Sequence, residues 1–320
     1  MTNILISVDE GWRNGSWEKI EKENKVKIIR NIEVESSIKK KLFNILYSYK
    51  LNIKIKLPFK RIFYKDFIKC LGLDKTNSFN IFVYDRMRLT LGLKFFKYLK
   101  KYNKNIKTIY LFSNIVAMSG AKEFKIENKL NKYFDYVFAF DRNDASKYNF
   151  KYSNLIFEPI IPDCNENEVD MFLVAKSKNR INEIIKIYDE LKKYDYKIKF
   201  YVNGLSNEDK LVIGNRVIIK DYFLPYEDVM KNIVNTRCVV DIMQKGSTGV
   251  TLNICEAIIC GKKIITNNDK IIEEKFYHPS RIYIVGESRT IQEFMNEEML
   301  PYSEEDKHIF TFKHLLEQIV

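Results

Sequence analysis

The residues whose types and spacing best suit chemistry form a short loop between an apolar run that ends at Met243 and a pattern of helical period. The loop consists of Gly246, Ser247, Thr248, Gly249 and Val250. A strand, a small-residue turn and a helix N-terminus bring backbone N–H groups and the positive end of a helix dipole together, which predicts an anion site. Glycine also lets a phosphate approach the main chain closely. The alternative is that the glycines only permit a tight turn and that Ser247 or Thr248 is an ordinary N-cap.

Glu256 is the second unusual residue, because it lies among apolar neighbours in a helix predicted over residues 250–260. A carboxylate on an apolar helix face is costly unless donors reach it, and a ribose or sugar diol supplies such donors. Loop and carboxylate together favour a phosphorylated sugar or a nucleotide as the ligand. The glycine spacing is neither GxxxxGK[ST] nor GxGxxG, which disfavours the P-loop and dinucleotide-binding classes.

The elements that must position these residues alternate along the whole chain. Short β-branched and aromatic runs lie between stretches of helical period, which is typical of βα units around a parallel sheet. The pattern breaks around Pro159 and Pro162, where the sequence turns polar, and then restarts. We therefore predict an α/β protein of two Rossmann-like domains, residues 1–162 and 163–320, which agrees with 320 residues at about 150 per domain. Parallel sheets bind ligands at the carboxyl ends of their strands, so we expect the ligand in a cleft between the domains.

Individual elements follow from the same patterns. The first domain has predicted strands at residues 4–8, 52–57, 79–85, 107–114, 136–141 and 155–160. The second domain has predicted strands at residues 170–175, 197–202, 216–220, 238–243, 263–266 and 281–285. A helix over residues 35–50 has Ile38, Leu42, Ile45 and Leu46 on one face, which we expect to cover the first sheet. The last helix, residues 303–319, is a candidate for packing back on the first domain.

The run from Asp241 to Asn268 resembles the donor-nucleotide half of the two-domain GT-B glycosyltransferases, most closely the bacterial branch that builds capsule, exopolysaccharide or lipopolysaccharide. The resemblance rests on Gly-Ser-Thr-Gly-Val-Thr, on Glu-Ala within the helix and on Gly-Lys-Lys-Ile-Ile-Thr-Asn-Asn. It implies that the amides of residues 246–250 hold the diphosphate of a nucleotide sugar and that Glu256 holds its ribose. Gly249 stands seven residues before Glu256, where many retaining members have a second glutamate, so a retaining mechanism is not implied.

Two further stretches resemble the same half. In Asp170-Met-Phe-Leu-Val-Ala-Lys-Ser-Lys-Asn-Arg, the resemblance implies that a basic residue meets the diphosphate, and the candidates are Lys176, Lys178 and Arg180. In Tyr222-Phe-Leu-Pro-Tyr-Glu-Asp-Val, it implies that Leu224 and Tyr226 pack beside the nucleobase. Together these stretches favour a UDP-sugar as the donor substrate.

Carboxylates that follow predicted strands of the first domain are candidate bases, since the acceptor hydroxyl must lose its proton as it attacks the sugar. The candidates are Asp9, Glu10 and Asp85 for the base, and Trp12 and Asn114 for acceptor contacts. Asp9 or Glu10 is preferred because Trp12 and Trp17 are close in sequence, and an aromatic beside a carboxylate suits a sugar ring. Each candidate also has the ordinary interpretation of a turn or N-cap residue.

Neither a metal nor a redox cofactor is predicted. His278, His308 and His314 are the only histidines and have no metal-ligand spacing. The five cysteines form no CxxC pair, which disfavours a disulfide framework and favours a reducing compartment. No DxD sequence lies between a strand and a turn, which fits a metal-independent enzyme.

The net charge of +12 invites polyanionic partners. No clustered arginine stripe or RNA-binding aromatic motif accompanies it, so nucleic acid is not a predicted partner. The helix after Lys94 alternates cations with aromatics; it is either a face for an anionic membrane or a sheet-covering helix with Phe95, Leu99 and Tyr102 inward. Without a predicted leader or membrane span, we expect a cytoplasmic location with peripheral contact at the inner face of the membrane.

These observations predict a hexosyltransferase-like enzyme that transfers a sugar from a nucleotide-diphosphate donor to a surface polysaccharide or lipid-linked glycan. One alternative is a catalytically silent nucleotide- or sugar-binding subunit that serves a partner transferase. The other is a nucleic-acid-binding protein, which only the net charge suggests.

Overall fold

The structure, a computed structural model, describes residues 1–7, 14–30, 37–52, 54–55, 57–118, 127–163, 169–220, 224–244 and 246–319. It divides into two compact units. The first contains residues 1–7 and Trp17–Ser153, and the second contains residues 14–16 and Asn154–Gln318. Each unit is built on one parallel sheet of six strands, so the predicted α/β architecture of two Rossmann-like units is confirmed.

The first unit carries a sheet in the order β2-β1-β3-β4-β5-β6. Its strands are β1 Thr2–Ile6, β2 Val26–Ile29, β3 Phe79–Tyr84, β4 Ile106–Leu111, β5 Tyr136–Ala139 and β6 Lys151–Tyr152. Its helices are α1 Asn14–Asn24, α2 Ser37–Leu46, α3 Tyr49–Asn52, α4 Tyr64–Leu71, α5 Asp85–Leu91, α6 Leu93–Tyr102 and α7 Arg142–Tyr148. Short 3-10 helices lie at Lys60–Phe63, Val116–Met118 and Glu127–Lys132. The strand order changes direction between β1 and β3, which places a topological switch point at their carboxyl ends.

The second unit carries a sheet in the order β12-β11-β10-β7-β8-β9. Its strands are β7 Val169–Lys176, β8 Ile198–Asn203, β9 Ile218–Lys220, β10 Thr236–Asp241, β11 Lys263–Thr266 and β12 Ile282–Ile284. Its helices are α8 Ile181–Leu191, α9 Asn207–Ile213, α10 Tyr226–Val234, α11 Leu252–Ile259, α12 Ile291–Asn296, α13 Glu304–His308 and α14 Phe312–Glu317. Its 3-10 helices are Lys192–Tyr194, Gly214–Arg216 and Asp269–Glu273. This strand order is that of a dinucleotide-binding fold, with the switch point between β7 and β10.

The second sheet is buried on both faces. Met171 and Val240 belong to the apolar cluster on one face, and Phe172 and Val239 belong to the cluster on the other. Successive strand residues point to opposite faces, so two full cores require the continuous apolar runs that the sequence has here.

Some predicted strands are absent from the described part of the chain. The strand expected at residues 52–57 is wrong: α3 ends at Asn52, and residues 54–55 form a turn and a bend. The strand expected at residues 155–160 is also wrong. Its backbone is paired with loops instead, as the amide of Phe157 donates to the carbonyl of Phe310 at 2.8 Å. Phe157 is buried in the second unit's core, although it precedes the boundary predicted after residue 162.

The predicted apolar faces of two helices of the first unit have different outcomes. In α2, Ile38 and Ile45 are 80% and 55% exposed, so the expectation that this face covers the sheet is wrong. A helical period identifies an apolar face but not the surface that the face contacts. In α6, Phe95 and Leu99 are fully buried, so the sheet-covering interpretation is confirmed and these apolar side chains do not form a membrane face.

Candidate functional site

The candidate site lies at the switch point of the second sheet, where β7 ends at Lys176 and β10 ends at Asp241. The two strands are parallel neighbours, with Cys238 opposite Met171. Their carboxyl ends therefore lie side by side, and the loops that leave them diverge to opposite faces of the sheet. In open parallel sheets this is the place where ligands bind.

Arg180 joins these two strand ends. Its guanidinium donates through Nε to the carbonyl of Lys176 at 2.9 Å and through Nη1 to the carbonyl of Ile242. Asp241 is 1% exposed, and its burial raises the pKa of its carboxyl, while the positive charge of Arg180 acts in the opposite direction. Arg180 thus positions the loop ends, and its charge offsets part of the desolvation of the Asp241 carboxylate. Contact of Arg180 with a diphosphate remains a prediction.

Lys178 lies in the loop between β7 and α8 and is exposed. Its backbone has φ of 34°, in the left-handed region that non-glycine residues seldom adopt. Desolvation around the ammonium group lowers its pKa, and the neighbouring charges of Arg180 and Lys176 lower it further. Three cations crowded at one strand end are mutually destabilising, and an anion placed among them would relieve the repulsion.

The glycine-containing loop leaves β10 on the other side of the switch point. Gly246 is exposed with φ of 86°, which glycine adopts without strain. The amide of Ser247 donates to the carbonyl of Gln244 at 3.2 Å, and Asn268 Nδ2 donates to the carbonyl of Thr248 at 3.2 Å. Gly249 and Val250 are buried. The loop is therefore a turn that Asn268, in the loop after β11, holds in place by a hydrogen bond.

The helix after this loop starts later than predicted. Its N-cap is Thr251, whose hydroxyl accepts from the amide of Ile254 at 3.4 Å, and α11 begins at Leu252. The alternative that Ser247 or Thr248 caps the helix is therefore wrong. The small-residue loop precedes the cap, so its conformation has no part in capping the helix.

Glu256 is 1% exposed within the second turn of α11. Among the described residues its Oε2 has no hydrogen-bond partner, while the Tyr226 hydroxyl interacts with the carboxylate. Burial, with a smaller contribution from Asp241, raises the pKa of Glu256 to about 8. A buried carboxyl with an unused oxygen is costly to keep without a donor, which is consistent with a hydroxyl-bearing ligand.

Leu224 and Tyr226 are half-buried and pack against the apolar cluster around Phe157. The Tyr226 hydroxyl lies 3.1 Å from Met230 Sδ, and its ring centroid is 6.2 Å from that of Phe157. The hydroxyl therefore faces the interior and Glu256. Packing of Leu224 and Tyr226 beside a nucleobase stays a prediction.

Asn253 is a site residue that the sequence interpretation missed. Its side-chain amide donates to Asp241 Oδ1 at 3.1 Å and to the carbonyl of Val174 at 3.2 Å. It thereby connects α11 to both strands of the switch point. A polar residue two positions after a capping threonine, on the sheet side of an apolar helix, was the available signal.

The candidate residues of the first unit are only partly within the described chain. Asp9, Glu10 and Trp12 lie outside the described residues. Asp85 is the first residue of α5, directly after β3, and Asn114 is exposed after β4. Asp85 thus follows one of the two strands, β1 and β3, that form this unit's switch point. Trp17 is fully buried with its ring 6.1 Å from that of Tyr84, so the idea that it stands beside a sugar is wrong.

A group with metal-ligand chemistry forms at the end of the chain. The ligand atoms of His308, His314 and Glu317 lie within 4.8 Å of one another. His308 Nε2 is 3.0 Å from Glu317 Oε2, so these two side chains are also paired by a hydrogen bond. Sequence spacing did not show it because the predicted last helix is broken at Thr311, which caps α14 and turns His314 back toward His308.

Comparisons with known proteins identify the fold. No protein-family model and no curated protein sequence matches this chain. Among solved structures, Anabaena Alr3699/HepE in complex with UDP-glucose is 11% identical with a TM-score of 0.52, over 100% of this chain and 98% of that one. The E. coli trehalose-6-phosphate structure bound with UDP-2-fluoro glucose is 9% identical with a TM-score of 0.54, over 99% and 96%. A trehalose-6-phosphate synthase with bisubstrate glycomimetics is 11% identical with a TM-score of 0.51, over 83% and 84%.

These neighbours extend over nearly the whole chain, so both units take part in the likeness. At this level of identity the likeness concerns the fold. Among the described residues, no helix has the length and apolar character required to span a bilayer. Because the likeness extends over both units, the chain has the two-unit Rossmann-like architecture of the GT-B glycosyltransferases.

Proposed function

We propose that this protein is a glycosyltransferase that takes a sugar from a nucleotide-diphosphate donor, with a UDP-sugar favoured. The observation that carries the proposal is Glu256, which is buried and has a carboxylate oxygen without a partner among the described residues. It lies in the helix that follows the glycine-containing loop, at the switch point of a sheet with the strand order of a dinucleotide-binding fold. Structures of the same fold are described with UDP-glucose and UDP-2-fluoro glucose, which supports this class of donor.

In the proposed donor complex, the amides of residues 246–250 hold the diphosphate. The Ser247 amide does so by exchanging its bond to the Gln244 carbonyl for one to a phosphate oxygen. The ribose hydroxyls donate to Glu256, which satisfies its unused oxygen. Lys178 supplies positive charge to the leaving diphosphate, and Arg180 holds the loop ends in place. Leu224 and Tyr226 line the nucleobase.

In the proposed reaction, the acceptor hydroxyl oxygen forms a bond to the anomeric carbon while the bond from that carbon to the diphosphate oxygen breaks. The bonding electron pair leaves with the nucleoside diphosphate. The hydroxyl proton passes to a carboxylate of the first unit, for which Asp9, Glu10 and Asp85 are the candidates. Trp12 and Asn114 are the candidate acceptor contacts. The protein's own cations and amides stabilise the leaving group, so we propose that no metal cofactor is needed.

For the acceptor we propose a surface polysaccharide or a lipid-linked glycan, used at the cytoplasmic face of the membrane. A catalytically silent nucleotide-binding subunit would share the donor site and is the main alternative. Turnover separates the two: release of UDP from a UDP-sugar by the purified chain, faster with an acceptor, supports the enzyme. Donor binding without release over a broad acceptor panel supports the silent subunit.

Titration calorimetry with UDP tests the donor site directly. Glu256→Ala removes the ribose acceptor, and Gly249→Val adds a branched side chain at a buried loop position. We expect each to weaken UDP binding by about tenfold or more, because Glu256→Ala removes a hydrogen bond worth about 1.5 kcal/mol and Gly249→Val obstructs the loop. Asn232→Ala, on α10, is the matched control and leaves the affinity unchanged. UDP binding that is equal in both variants and in the unaltered protein would show that the donor site is wrongly assigned.

A further inference from the structure

A strongly basic segment of the first unit extends over residues 37–65. It contains eight lysines and one arginine but no aspartate or glutamate. Residues 86–122 form a second acid-free run, with seven lysines and two arginines, so the segment of residues 37–65 is one of two local concentrations of positive charge in the first unit. Its charge is complementary to an anionic surface.

The same segment exposes large apolar side chains. Seven of the sixteen exposed large apolar residues in the described part of the chain belong to it: Ile38, Leu42, Ile45, Leu51, Ile55, Phe59 and Ile62. An apolar side chain held in water forgoes about 1.5–3 kcal/mol of burial energy. Concentrated in one segment, such residues mark an interaction surface.

The underside of this segment is well packed. The Tyr47 hydroxyl donates to the carbonyl of Lys60 at 2.9 Å, which connects the end of α2 to the 3-10 helix Lys60–Phe63. Phe43 stacks on Tyr47 at 4.6 Å, and Phe63 meets Phe43 edge-on at 5.3 Å. The backbone that carries the exposed apolar side chains is therefore held in place by packing on its buried side.

Phe59 is the most unusual of the outward residues. Its backbone has φ of 64°, the left-handed conformation, and its side chain is 76% exposed. This conformation costs a bulky residue on the order of 1 kcal/mol or more. The fold thus holds an aromatic ring in solvent at the expense of backbone strain.

The segment also forms one wall of a cavity of about 650 Å³ within the first unit. The described lining contains five cations, Lys60, Arg61, Arg88, Lys94 and Lys129, and no carboxylate. Phe59 belongs both to this lining and to the exposed apolar group. The cavity therefore combines positive charge within with an apolar residue that reaches solvent.

Arg88 is a lining residue of the cavity with an unused hydrogen-bond donor. It is 2% exposed, and its Nε donates to the Tyr110 hydroxyl at 3.1 Å. Its Nη2 is buried and has no hydrogen-bond partner among the described residues. A buried guanidinium without an anion is costly, and a phosphate oxygen is the acceptor that such a group prefers.

We propose that residues 37–65 and this cavity form a binding site for an anionic membrane phospholipid. The phosphate enters the cavity, and the exposed apolar side chains insert at the interface between headgroups and acyl chains. A lipid accounts for both halves of the surface, because a soluble phosphate would leave the apolar residues in water. The site is separate from the proposed donor site and does not depend on it.

Vesicle sedimentation with the full chain tests the proposal. We expect binding to phosphatidylcholine vesicles that contain phosphatidylglycerol, and much weaker binding to phosphatidylcholine alone. Lys39→Gln, Lys40→Gln and Lys41→Gln combined should lower the partition coefficient by about a hundredfold, at roughly fivefold per cation. The matched control removes the same charge from the second unit, with Lys186→Gln, Lys192→Gln and Lys197→Gln, and should bind as the unaltered chain. Equal loss in both triple variants would reduce the effect to net charge and overturn the assignment.

The apolar half is tested by Phe59→Gly. Glycine removes the ring and also relieves the left-handed strain, so the variant is expected to fold at least as well as the parent. We expect about tenfold weaker vesicle binding with no fall in melting temperature. Leu211→Ser, an exposed apolar residue of α9, is the control. Unchanged binding in Phe59→Gly would overturn insertion of this surface.

The cavity is tested by Arg88→Met, which should abolish the preference for phosphatidylglycerol over phosphatidylcholine. Where that variant folds poorly, Arg61→Gln with Lys94→Gln tests the same lining from exposed positions. A preserved preference in these variants would overturn the cavity's role. Two other occupants give distinct results that contradict the proposal: tight binding of glycerol phosphate without vesicles, or a lipid-free dimer that Phe59→Gly dissociates.

Discussion

The side-chain amide of Asn253 lies 3.1 Å from Oδ1 of Asp241 and donates a hydrogen bond to it. The same amide donates to the carbonyl of Val174 at 3.2 Å. One side chain of α11 thus holds the ends of β7 and β10 together at the point where the strand order reverses. The loop of residues 246–250 is fixed between Asp241 and Asn253, so its geometry depends on this connection.

Asn253→Ala should lower the free energy of unfolding and also weaken UDP binding. The substitution removes the donor to the Val174 carbonyl and one of two side-chain donors, the other being Thr251, to the buried Asp241 carboxylate, at a cost of about 1–3 kcal/mol. Urea unfolding measures the first effect and calorimetry the second. The control is Asn232→Ala, which removes a local bond from Asn232 Nδ2 to the carbonyl of Asp228 and should change stability little. Stability equal to the parent would show that the connection is dispensable.

Glu256 should make the ligand-free protein less stable as the pH rises. Its pKa in the folded state is raised by burial to about 8, above the value of about 4.3 in the unfolded chain. The folded state therefore holds the proton more tightly, and the stability that this proton provides is lost progressively between about pH 4.5 and 8.

Glu256→Gln removes this dependence because glutamine does not titrate. At pH 8 the variant should be more stable than the parent, by roughly 2 to 4 kcal/mol, while the two should be similar near pH 4.5. Melting temperatures across this range measure the difference. Parallel curves for parent and variant would show that the Glu256 carboxyl is ionised and satisfied in the folded protein.

Chelation should leave the transferase activity unchanged. The proposed leaving group is stabilised by Lys178 and by the loop amides, which EDTA does not affect. The group formed by His308, His314 and Glu317 belongs to the last two helices, so a metal bound there would change the melting temperature rather than donor binding. Activity lost with EDTA and restored by a divalent cation would contradict a metal-independent reaction. His314→Gln then shows whether that cation acts at the terminal group.

The fold could be predicted where burial on both faces leaves a continuous apolar run. The predicted boundaries of β10 and β11 lie within two residues of those in the structure. All four residues of β11, Lys263 to Thr266, are buried. A strand was predicted wrongly where apolar and polar side chains alternate in the sequence but the apolar ones are not buried. Residues 52–57 alternate apolar and basic side chains like an edge strand, but Ile55 is 54% exposed and the described residues of the segment join no sheet.

For the candidate site, the sequence was informative where a residue type conflicts with its surroundings. Glu256 was identifiable as a carboxylate in an apolar helix, and it is buried as expected. Asn253 was not identifiable, because an asparagine near a helix start has many ordinary roles and only the packing of α11 on β7 and β10 gives it two partners. The basic segment of residues 37–65 shows the opposite case, in which composition was visible but exposure was not.

Lys178→Gln should weaken UDP binding by about tenfold, the effect of losing one charge-assisted contact to phosphate. The substitution also removes one of three crowded cations, so the melting temperature of the ligand-free variant should be equal to or slightly above that of the parent. Binding should also become less sensitive to salt, because one cation fewer faces the diphosphate. Uridine provides the discriminating ligand: it lacks the phosphates and should bind parent and variant equally. Lys186→Gln, an exposed lysine on α8, controls for net charge and should bind UDP as the parent does. Equal loss of UDP affinity in both lysine variants would assign the effect to overall charge, and equal loss of uridine and UDP in Lys178→Gln would place Lys178 away from the diphosphate.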